Sequence, residues 1–156
     1  MSQPPDPNPD PNRDRKRWMS VLARASAAEI ERLLAGADPL PPHTRLRGPE
    51  IGLVMARGRA GGGGAPFNLG EMTVARCTVR NEEGHIGHAY AAGRDPRQAE
   101  LAAALDAALQ DPVRRPALER TVIDPLAAAQ EAKRAETRRR AAATEVQFFT
   151  LAAMRT

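Results

Sequence analysis

A two-residue alternation on either side of a glycine run is the strongest constraint on the fold of this chain. Residues 51–59 read IGLVMARGR and residues 71–80 read EMTVARCTVR, with Gly61, Gly62, Gly63 and Gly64 between them. Successive side chains of an extended strand point to opposite faces, so Leu53, Met55, Arg57 and Arg59 share one face of the first segment. The turn Asn81-Glu82-Glu83-Gly84 leads into HIGHAYAA, a third extended stretch. Strands joined in this way pair antiparallel, which predicts a meander of at least three. The first strand begins near Arg45 and is interrupted at Gly48-Pro49, where the ring nitrogen offers no N–H.

Helical patterns flank the meander. From Arg13 to Ala25, Trp18, Val21, Leu22 and Ala25 recur at helical spacing, which places Arg15, Lys16 and Arg24 on the outer face. Ser26-Ala-Ala-Glu29 has the form of a capping box opening a second helix, with Ile30, Leu33 and Leu34 inward and Gly36 as its stop. After the meander, Asp95 as N-cap, Pro96 at the first position and Gln98 at the third start a helix to Gln110. Its buried face is Leu101, Leu105, Ala108 and Leu109.

LERTVIDP, residues 118–125, is expected to be a short extended link. Residues 126–143 follow as a long helix of alanine and charge, with no large apolar residue from Ala127 to Thr144. VQFFTLAAM, residues 146–154, is expected to add a fourth strand. Residues 1–12, MSQPPDPNPDPN, are too poor in apolar side chains to offset their ordering entropy and are expected to be disordered. The reading is therefore an α+β fold in one domain, 13–156, with two N-terminal helices, a central helix and a long C-terminal helix around an antiparallel sheet.

Composition narrows the function classes. The 42% hydrophobic share rests largely on alanine, and three Phe, one Trp and one Tyr supply all the aromatic area, so the core is small and a partner surface is expected to complete it. Twenty-three Lys/Arg against 19 Asp/Glu give a charge of +4, modest for a polyanion binder, and no nucleic-acid reader motif is present. Cys77 is the single cysteine, which leaves no disulfide framework and no cysteine cluster for iron-sulfur chemistry. With no signal peptide and no membrane-length apolar run, a cytoplasmic chain is expected.

Few motifs suggest chemistry. A nucleotide loop needs Gly-Lys-Ser/Thr opening a helix, whereas no lysine follows these glycines and the next element is a strand. The loop is then either a plain strand connection or a segment that orders around an anion or a partner, with Arg57 and Arg59 beside it. His85 and His88 are three apart, an offset that puts them on opposite faces of a strand, and no metal site is expected. No serine elbow or carboxylate pair is marked, so no catalytic residue is assigned. The candidates for anion or interface contact are Arg57, Arg59, Gly61, Gly62, Gly63, Gly64, His88 and Arg94.

Four segments in order, RWMSVLA from Arg17, EIGLVMARGRAGGGGAPFNLGEMTVARCTVR from Glu50, GHAYAAGRD from Gly87 and VQFFTL from Val146, closely resemble the PhnG family. This family is the G subunit of the bacterial carbon-phosphorus lyase core complex. The resemblance implies phosphonate catabolism, in which the G subunit acts with the H, I and L proteins to displace adenine from MgATP by methylphosphonate. The product is alpha-D-ribose 1-methylphosphonate 5-triphosphate. It further implies direct binding to the I subunit, membership with H and J in a two-fold core, and MgATP as substrate of the complex with no cofactor on this chain. A chain that only organises the I subunit, touching no ligand, is the alternative.

Overall fold

Small side chains let the central helix lie directly on the sheet. The structure, a computed structural model, describes residues 12–59 and 64–144. Strands β1 (His43–Gly58), β2 (Phe67–Asn81) and β3 (Ile86–Ala92) form one antiparallel sheet in the order β1-β2-β3. Helix α3 (Pro96–Leu109) packs on one face, against Ala75, Cys77 and Val79 of β2 and Gly87, Ala89 and Ala91 of β3. A Cβ on Gly87 would lie 1.9 Å from the Ala103 carbonyl oxygen and 2.6 Å from the Ala107 nitrogen. Only glycine allows the helix backbone this close.

Two N-terminal helices, α1 (Arg13–Leu22) and α2 (Ala27–Leu34), and the short α4 (Arg115–Leu118) cover the far side of α3. Every residue of α3 from Gln98 to Leu109 is therefore buried, more than the one face expected from periodicity. The predicted caps are present. Ser26 accepts from the Glu29 amide while Glu29 reaches back to the Ser26 amide, and Asp95 accepts from the amides of Arg97 and Gln98. Gly36 is not a left-handed stop: α2 closes through Ala35 in the right-handed region, and the Gly36 N–H bonds to the Leu33 carbonyl.

Two further expectations are corrected. Arg15 does not sit on an outer face but turns to α3, where it pairs with the fully buried Asp106. LERTVIDP is helical rather than extended: α4 runs into a π-helical turn, Glu119–Ile123, and then into α5 (Asp124–Ala143). Leu118, Val122, Ile123 and Leu126 are buried at helical spacing, which provides the apolar stripe that stabilises the segment. Pro125 lies in the first turn of α5, directly after the π-helical turn, instead of ending an extended link.

The chain divides into two compact units, Met1–Leu126 and Ala127–Thr156. In the second, the described part is the rest of α5, with exposed ion pairs from Glu131 to Arg138 and from Glu136 to Arg139 and Arg140. The expected fourth strand at 146–154, and the tail up to residue 11, lie outside the described residues.

Candidate functional site

The sheet has a supported half and a bare half. β3 pairs with β2 only from Arg80↔Ile86 to Val74↔Ala92, whereas β1 and β2 continue together from Leu53↔Thr73 to Gly58↔Phe67. Beyond the end of β3 they form a two-stranded arm. Ile51, Leu53, Met55, Phe67, Leu69 and Met72, on the arm and at its root, are each between 44% and 62% exposed. Register places Leu53 and Met55 on the face that α3 covers further along, and Met72 and Phe67 on the opposite face. A two-stranded ribbon is marginal in water on its own, and one apolar on both faces is suited to lie against another chain.

The face of the sheet away from α3 carries a polar cluster. Arg47, Thr78 and His88 form one row across the three strands, and Glu50, Arg76 and Tyr90 the next. Both Arg47 Nε and Arg76 Nε donate to the same oxygen, Glu50 Oε1, each at 2.7 Å. Arg47 first and then Arg76 hold the Glu50 carboxyl below the usual carboxylate range, while Glu50 raises Arg76 beyond the ordinary arginine value. Thr78 Oγ1 lies 3.2 Å from His88 Nδ1. Arg47, Arg76, Thr78, His88 and Tyr90 line a hollow of about 230 Å³.

The family model described as phosphonate metabolism protein PhnG matches residues 13–154. This chain belongs to the PhnG family. A curated member from Rhizobium meliloti (strain 1021), named alpha-D-ribose 1-methylphosphonate 5-triphosphate synthase subunit PhnG, is 43% identical over 137 residues, covering 88% of this chain and 87% of that protein.

In this PhnG chain the residues singled out from sequence occupy separate places. Arg57, exposed and level with Asn68, and Arg59, just beyond β1, stand at the end of the arm with exposed Gly64; Gly61, Gly62 and Gly63 lie outside the described residues. His88 is level with Thr78, ten residues along β2 from Asn68, so about 33 Å from the arm's end at the usual rise of a strand. Arg94 is exposed in the turn between β3 and α3, beside Gly93, whose φ is +108°. The three histidines also stand apart: His43 contacts Glu100, His85 lies near Glu83 and His88 faces the hollow.

Sequence reasoning missed Arg47, Glu50, Arg76, Thr78 and Tyr90. The alternation of EMTVARCTVR, paired through the Asn81–Gly84 turn, carried the signal for Arg76, Thr78 and their neighbours on β3. Arg47 and Glu50 were hidden by the irregularity between them. Among the described residues no helix is long and apolar enough to cross a membrane.

Proposed function

We propose that this chain is a non-catalytic subunit of the assembly that makes alpha-D-ribose 1-methylphosphonate 5-triphosphate. It acts with the H, I and L proteins, and MgATP and methylphosphonate are substrates of the complex, with no complete active site on this chain. The arm carries this reading, because it displays apolar side chains on both faces with only two strands to support them. In the proposed assembly the arm lies against the I subunit, with Arg57, Arg59 and Gly64 at its contacting end, in a cytoplasmic two-fold core that also holds H and J. The name of the Rhizobium relative supports the pathway.

Two measurements test it. This chain should co-purify with the I subunit, and adenine release from MgATP plus methylphosphonate should be lost from a mixture lacking the chain and return on its addition. Undiminished release without the chain would sink the proposal.

A further inference from the structure

We propose that the open face of the sheet holds a binding subsite for a phosphoryl or phosphonate group, built from Arg47, Arg76, Thr78, His88 and Tyr90, with Glu50 keeping the two arginines together while the subsite is empty. The inference does not rest on the reading of the arm.

The backbone gives the first argument. Residues three apart on a regular strand point to opposite faces, yet Arg47 and Glu50 meet on one face. Register shifts on either side of Arg47, with Gly48 at φ +68°, bring them there. A Cβ on Gly48 would lie 2.7 Å from the Arg76 carbonyl oxygen, so the irregularity is fitted closely against the strand that supplies the second arginine. Irregularities of this kind re-aim side chains beside functional sites.

Charge gives the second. Two guanidinium groups share a single carboxylate oxygen, which leaves the cluster one positive charge in excess. Each bond to Glu50 uses one of five guanidinium donors, so each arginine keeps donors for an incoming oxyanion. Arg80 extends the positive face by one row and has no ion pair among the described residues.

Shape gives the third. Thr78, bonded to His88 Nδ1, fixes the imidazole and leaves Nε2 as its second polar atom, and Tyr90 stands in the row of Arg76. The hollow of about 230 Å³ holds a tetrahedral oxyanion with part of the group it is attached to, and is too small for a whole nucleotide. An ion pair this exposed adds little stability, so folding alone does not call for the arrangement.

The test uses the full chain, ¹⁵N-labelled, titrated with methylphosphonate, inorganic phosphate and tripolyphosphate at constant ionic strength. Saturable shifts should appear in the Arg47 and Arg76 Nε–H signals and the amides of Thr78, His88 and Tyr90. Arg47→Gln with Arg76→Gln should weaken binding about tenfold or more, and Arg80→Gln by less than about twofold. Should the double variant unfold, Glu50→Gln is the second probe, because removing the competing carboxylate should tighten binding severalfold. Absence of saturable shifts with all three anions, an equal loss in Arg80→Gln, or no tightening in Glu50→Gln would each overturn the subsite. None of these results bears on co-purification with the I subunit, so the two proposals fail separately.

Discussion

β1 and β2 run through two environments that could hardly differ more. At their base they lie with β3 under α3, where Gly87, Ala89 and Ala91 admit the helix backbone and Asp106 binds the outer layer. Along the arm the same strands lose the third strand and the helix, and display leucine, methionine and phenylalanine to solvent. The edges differ in the same sense. On β3, the His88 N–H donates to Asp106, and the Ile86 carbonyl accepts from Arg15 and Gln110. No described strand pairs with the outer edge of β1. Folding free energy is concentrated at the base, and the apolar surface of the arm is left for the contact proposed above.

Removing Asp106 is the sharpest way to break this division. Its carboxylate, itself without solvent exposure, accepts from Arg15 Nε at 3.1 Å, Arg15 Nη2 at 2.7 Å, Trp18 Nε1 at 2.8 Å and the His88 amide at 2.9 Å. Asp106→Ala orphans these donors and should cost about 3–5 kcal/mol. A urea melt that left stability intact would show that the base does not hold the fold. Gly87→Ala comes next. Its methyl group must push α3 off the sheet, a cost of about 1–3 kcal/mol, and it should lower the midpoint of thermal unfolding without altering the arm.

How much of this was legible in the sequence depends on how local each determinant is. The capping residues Ser26 and Asp95 act within one helical turn, and the alternation of IGLVMARGR and EMTVARCTVR acts within one strand, so both could be read directly. Arg15 and Asp106 could not be matched, because periodicity says which side a residue takes but not what waits there across 91 positions. Alanine carries little hydropathic contrast, which hid the burial of α3 on all sides. The open-face cluster was illegible for a different reason: the irregularity at Gly48 reverses the parity on which face assignment depends.

Acid should act on the link between the base and β1. Glu100 on α3 accepts from Arg45 Nε at 2.7 Å and Nη2 at 2.8 Å, with His43 Nε2 at 3.4 Å. Arg45 first, with His43 adding to it, holds the Glu100 carboxyl below the usual glutamate value. A carboxyl depressed in the folded state binds fewer protons there than in the unfolded chain. Its contribution is present above the ordinary glutamate value of about 4.3 and is lost as pH falls below it. Arg45→Gln removes the main cause of the depression, so acid unfolding should begin at a higher pH. An unchanged acid midpoint would mean that this contact does not couple β1 to the helix.

The smallest effect on stability is expected at the arm, and it is the most telling. Leu53→Glu with Met55→Glu places charge on side chains that are already mostly exposed, so the isolated chain should change in stability by no more than about 0.5 kcal/mol. The same pair should abolish co-purification with the I subunit, because an apolar contact cannot accept two unpaired carboxylates without a desolvation cost. A large loss of stability in the isolated chain would show that the arm is part of the folding core, and retained co-purification would place the contact elsewhere. Only the combination of an intact fold and lost assembly keeps the two halves of the sheet distinct in function as they are in packing.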